Sequence, residues 1–89
     1  MDAKITGENI ARLRKKAGLT QACLAQKLNV SDKAVSRWEN GTSTPDISTL
    51  IKLAKFYDVS LEDIVNENVV EKLPIYESFD VKSDVSITD

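Results

Sequence analysis

The 89-residue chain contains no histidine and a single cysteine, Cys23. Without a histidine base, the Ser/His/Asp and Cys/His sets of nucleophilic catalysis are excluded. A protein-ligated zinc site has no imidazole and only one thiolate to draw on, so no metal is expected. A lone thiol also excludes an intrachain disulfide. No run approaches the roughly 18 apolar residues that cross a bilayer. The opening Met1-Asp2-Ala3-Lys4 lacks the apolar segment of a secretory signal. Both absences make the cytoplasm the expected location. Carboxylates remain as catalytic groups, but none form an obvious pocket-forming pair. The expectation is therefore a protein that is not an enzyme and uses no cofactor. The length leaves room for one domain with a core near the lower limit of independent stability.

The formal net charge of −2 argues against a nucleic-acid partner. Its distribution reverses that. Residues 1–41 carry 8 cations against 4 acids, a balance of +4, whereas residues 42–89 carry 4 against 10, a balance of −6. Such asymmetry points the N-terminal half towards a polyanion. Scattered Lys and Arg would by themselves indicate only a solvated face.

What is present centres on residues 31–41, Ser-Asp-Lys-Ala-Val-Ser-Arg-Trp-Glu-Asn-Gly. At about 100° per residue, Ala34, Val35 and Trp38 share one arc, opposite Asp32, Lys33, Ser36, Arg37 and Asn40. The inner arc is apolar and assigns Trp38 to the core. The outer arc is an unbroken run of donors and acceptors, where an ordinary surface helix would carry paired Glu and Lys. A helix built this way inserts its polar edge into something, and the DNA major groove is the leading candidate.

The rest of the chain supplies a scaffold. Thr6 is the expected cap of a first helix, with Glu8 in its first turn. Ile10, Leu13 and Ala17 form its buried stripe and Gly18 ends it in the left-handed conformation. The basic run Arg12, Arg14, Lys15 and Lys16 near that end fits a solvated terminus and a phosphate contact equally. Leu19-Thr20 with Leu24, Val30-Ser31 with Val35, and Val59-Ser60 with Ile64 repeat one signature, a hydroxyl N-cap inside a hydrophobic staple. These mark helices from about 20 to 28, after 31, and from 61 to about 65. Asn29 makes the turn between the second and third, which together form a helix-turn-helix unit in which Ala25 and Ala34 permit close approach. Gly41 and Pro45 bound a loop. Ile47, Leu50, Ile51, Leu53, Ala54 and Tyr57 mark a fourth helix, expected to be central to the core.

From about residue 66 the character changes. Between 75 and 87 the odd positions read Ile, Glu, Phe, Val, Ser, Val, Ile and the even ones are polar apart from Tyr76, which is the strand period. Such a segment forms no stable sheet alone. Disorder and pairing with a second copy or a partner are both open, with the in-phase apolar residues favouring pairing.

Gly18-Leu19-Thr20-Gln21, Leu24-Ala25, Leu28-Asn29-Val30-Ser31, Val35-Ser36-Arg37-Trp38-Glu39-Asn40-Gly41, Pro45, Leu50-Ile51-Lys52-Leu53-Ala54 and Val59-Ser60-Leu61-Glu62-Asp63 resemble the Cro/CI-type (XRE-like) helix-turn-helix family of phage and bacterial repressors. The resemblance covers about 9–65 and not the tail. It implies an all-α, five-helix, lambda-repressor-like DNA-binding domain over residues 1–66, followed by an acidic, extended or strand-like tail over 67–89. It further implies base contacts by Asp32, Lys33, Ser36 and Arg37. Arg37 or Lys33 would donate to guanine and Asp32 would accept from cytosine. For Asp32 a plain first-turn acid is an equal alternative, and for Ser36 a small spacer. Gln21, Asn40, Thr42 and Ser43 are the implied phosphate contacts, and Arg14 and Glu39 the implied ion pair between the first and third helices. Cys23 departs from the family's acidic residue at that point and is expected on the outer surface of the second helix. Asn29 replaces a frequent glycine.

These readings converge on a sequence-specific regulator of transcription, in the first instance a repressor binding a palindromic operator as a homodimer. The competing reading is an antitoxin or other protein-interaction module that holds a partner through its tail.

Overall fold

The computed structural model describes residues 1–67, so the strand-like period at 75–87 lies outside the described residues. Five helices follow one another: α1 (Ala3–Lys16), α2 (Gln21–Leu28), α3 (Asp32–Asn40), α4 (Ile47–Tyr57) and α5 (Leu61–Val65). Three of the turns between them reuse one triplet. Gly18-Leu19-Thr20, Asn29-Val30-Ser31 and Asp58-Val59-Ser60 each place a left-handed residue (φ 74°, 60° and 56°) before an apolar residue and a hydroxyl cap. The apolar residue closes the helix behind it by donating its N–H five residues back, Leu19 to Arg14 O, Val30 to Ala25 O and Val59 to Ala54 O, at 2.9–3.1 Å. It is also the staple residue of the helix ahead. One side chain thus fixes the end of one helix and the start of the next, which sets the angle of the turn. At Ser60 the cap is reciprocal, since Asp63 Oδ2 accepts from Ser60 N at 3.1 Å.

The first helix starts earlier than the sequence suggests. Asp2, not Thr6, is its cap, and its carboxylate accepts from Lys4 N and Ile5 N at 2.8 and 3.1 Å. Thr6 lies a turn inside and is buried, Glu8 falls beyond the first turn, and Ala17 is the exposed C-cap and not part of the buried stripe. A carboxylate at the end of an available helical segment outcompetes an internal hydroxyl because it satisfies two otherwise open N–H groups.

The core joins Ile10, Leu24, Ala25, Leu28, Val35, Trp38, Leu50, Leu53 and Ile64. Its centre is α3, held between α1 and α2, and not α4. The fourth helix buries Leu50 and Leu53 but leaves Ile47 62% and Ile51 44% exposed. Those two residues stand about 40° apart on the side away from Leu53, so the breadth of the apolar face exceeds what the five helices cover. One close contact locks α1 onto α3 and a second ties it to α5. Gly7 lies against the α3 backbone, where an added Cβ would stand 1.9 Å from Trp38 O. Asn9 is buried, and its Nδ2 donates to Ile64 O at 2.7 Å and Asn66 O at 2.8 Å. A five-residue helix has no stability of its own, and this amide ties α5 to α1.

Candidate nucleic-acid interface

Ser31 opens α3 by accepting from Ala34 N at 3.1 Å, and Gly41, with φ 78°, closes it. Between these caps Val35 and Trp38 are buried, which turns the opposite arc outward. Asp32, Lys33, Arg37 and Asn40 are exposed and Ser36 is half-buried. Among the described residues neither the Lys33 nor the Arg37 side chain has an ion-pair or hydrogen-bond partner. Both cations can therefore meet a ligand without first breaking an internal bond. Thr42 and Ser43 are exposed in the following loop, where Thr42 Oγ1 donates to Arg37 O at 3.1 Å.

The inner edge of this surface is held by a charged cluster. Arg14 Nε donates to Glu39 Oε2 at 2.6 Å and its NH2 to Glu39 Oε1 at 3.0 Å, a two-pronged pair joining α1 to the last turn of α3. A third donor, Arg14 NH1, reaches Leu19 O at 2.8 Å, so the same guanidinium clasps the turn before α2. Gln21, at the first position of α2, donates Nε2 to Glu39 Oε1 at 3.0 Å. Burial disfavours the Glu39 charge, but hydrogen bonds from Arg14 and Gln21 and the nearby guanidinium outweigh it and hold the carboxyl below its ordinary pKa. The hydrogen bond to Glu39 raises the Arg14 pKa despite the cost of burial. The Gln21 amide is thereby oriented with its NH2 group towards the cluster, leaving its second N–H and the open backbone donors at the start of α2.

The structure thus gathers Asp32, Lys33, Ser36, Arg37 and Asn40 on one arc, with Thr42 and Ser43 continuing it and Gln21 beside it through Glu39. Lys15 and Lys16 are exposed at the end of α1, whereas Arg14 is committed to Glu39. Cys23 is half-buried and not fully on the outer surface. The link from Gln21 to Glu39 was invisible in the spacing, and only Gly7, a glycine inside a helical pattern, signalled the tight crossing of α1 over α3.

The profile of the helix-turn-helix family matches residues 10–64. The chain belongs to the Cro/CI-type helix-turn-helix family of transcriptional regulators. It shares 36% identity over 66 residues with the HTH-type transcriptional regulator ImmR of Bacillus subtilis, covering 74% of this chain and 52% of that protein. With the antitoxin PezA of Streptococcus pneumoniae it shares 39% over 62 residues, 70% of this chain and 39% of that one. The chain spans about half the length, or less, of such curated relatives. Its helices superpose on the P22 c2 repressor, from a Salmonella phage and solved with a synthetic operator. The TM-score is 0.68 at 31% identity, over 72% of this chain and 97% of that one. Membership of this family of transcriptional regulators goes with the lambda-repressor-like fold that the five helices adopt. Among the described residues no helix is long and apolar enough to cross a membrane.

Proposed function

We propose that this family member is a repressor that, as a homodimer, occupies a palindromic operator with α3 in the major groove. The observation that carries the reading is the division of α3 into a buried apolar arc and an exposed polar one whose two cations have no partner among the described residues. Arg37 and Lys33 donate to guanine O6 and N7, Asp32 accepts from cytosine N4, and Ser36 approaches the base edges between them. Gln21 donates to one phosphate and Asn40, Thr42 and Ser43 to another. A single recognition helix buries too little surface for strong selectivity, so two copies read half-sites about one helical turn apart. Residues 1–66 form the DNA-binding unit, and the 67–89 segment serves as an arm for the second copy.

The test is selection of bound duplexes from a random pool, followed by footprinting upstream of the protein's own gene. A two-fold symmetric site is expected. Replacing Arg37 by Ala should cost roughly 1–3 kcal/mol on that site and relax one base position. An equal loss on cognate and random DNA would sink base reading by Arg37. The likeness to an antitoxin supports a second use of the same chain, partner capture through 67–89. Co-purification of a small protein that is lost when the tail is deleted would reveal it.

A further inference from the structure

The 40–44 loop, the phosphate clamp of the reading above, contains no cation, being Asn-Gly-Thr-Ser-Thr. Neutral donors fix the position of a phosphate, but the strong, salt-dependent share of affinity comes from Lys and Arg. Tertiary structure brings a cation to this loop from the other end of the domain. The first turn of α1 crosses the end of α3 so closely that a Cβ added at Gly41 would stand 3.3 Å from Lys4 Cα and 3.7 Å from Lys4 Cβ. One turn along α1, the Gly7 contact with Trp38 O pins the crossing a second time. The root of Lys4 is therefore fixed beside Gly41, while the side chain is exposed on a flexible four-carbon stem.

The charges around Lys4 leave it available. Asp2 directs its carboxylate to the backbone N–H groups of Lys4 and Ile5. Glu8 lies one turn along the same face of α1. Among the described residues Lys4 forms an ion pair with neither. The loop itself offers no acid before Asp46, whose carboxylate accepts from Ser48 Oγ and Thr49 N.

We propose that Lys4 is a DNA phosphate-binding residue, supplying from α1 the positive charge that the 40–44 loop lacks. The inference rests on the groove-binding reading of α3. It is tested by fluorescence anisotropy on two labelled duplexes, one selected from a random pool by the wild-type protein and one scrambled. Both are titrated between 50 and 200 mM salt. Neutralising Lys4 while keeping the stem, as Lys4→Met or Lys4→Gln, should lower the slope of log K against log salt by about 0.9 per bound protomer. The advantage of wild type over variant should then shrink by about 3.5-fold for each bound protomer across that salt range, or about 12-fold for a bound dimer. The effect should be the same on both duplexes, and Lys4→Arg should restore the slope. Lys27→Gln, on the Phe56 ring (5.9 Å to its centroid) at the far end of α2, should leave the slope unaltered. A wild-type slope retained by both neutral variants would overturn the role of Lys4 while leaving groove binding intact. A loss confined to the selected duplex would overturn it too, as a base contact. A wild-type protein with no salt slope and no preference between duplexes would instead sink the groove reading itself.

Discussion

Gly7→Ala tests the crossing on which the whole surface depends. In an isolated helix this substitution is favourable by about 1 kcal/mol, since alanine loses less backbone freedom. Here the new methyl would stand 1.9 Å from Trp38 O and 3.0 Å from Trp38 C, both main-chain atoms. Reaching a permitted separation requires α1 and α3 to part by about 1 Å, and neither backbone can rotate away as a flexible side chain would. Overpacking of this kind costs roughly 1–3 kcal/mol, with the rigid partner placing it at the upper end. Trp38 O also accepts from Gly41 N at 3.1 Å, so the displacement strains the cap that ends the recognition helix. The net expectation is a loss of about 2 kcal/mol despite the better helix former. For a domain of this size that is a fall in Tm of about 8–16 °C. Thermal and urea unfolding followed by circular dichroism would measure it. A Gly7→Ala protein as stable as the wild type, or more so, would refute the close approach.

Arg14→Ala leaves the largely buried Glu39 carboxylate without its guanidinium and should destabilise by somewhat less than the roughly 3–5 kcal/mol seen when a fully buried pair is broken. Because Glu39 has a folded-state pKa below its ordinary value of 4.5, its stabilising contribution is complete above that pH and is lost as acid carries the protein through the lower folded value. Urea midpoints should therefore fall on acidification below about pH 4.5, and Glu39→Gln should flatten that dependence; an unchanged profile would dismiss Glu39 as its source. Tyr57→Phe removes a buried hydroxyl that has no hydrogen-bond partner among the described residues, so the unfolding free energy from urea titration should stay level or rise by up to about 1 kcal/mol, and a marked loss would mean the hydroxyl is satisfied. Asn9→Ala strands the Ile64 and Asn66 carbonyls and should cost roughly 1–3 kcal/mol, with hydrogen exchange at 61–65 accelerating before the rest of the domain. Gln21→Ala should weaken binding to all duplexes alike, and a sequence-dependent loss would reassign it to base reading.

The starts of α2, α3 and α5 were legible because each is decided within a few residues. A hydroxyl cap, its staple partner and the left-handed residue before them meet whatever the rest of the chain does, and Thr20, Ser31 and Ser60 could be read directly. The start of α1 was misread where two local caps competed, Thr6 and Asp2. The inward turn of Trp38 followed from its spacing with Val35, since a period of 3.6 residues leaves one apolar arc. The same logic overcommitted α4. Periodicity reports how wide an apolar face is but not how much of it neighbouring helices cover, and Ile47 and Ile51 remain outside.

Local rules thus determined five helices, the starts of three of them and the polar edge of α3. Tertiary structure alone decided how that edge is mounted. The Gln21 amide on Glu39, Asn9 on the end of α5, Gly7 against Trp38 and Lys4 beside Gly41 join residues between 18 and 57 positions apart. No propensity or periodic pattern encodes such pairs, because each depends on where two rigid helices cross once their buried faces have packed.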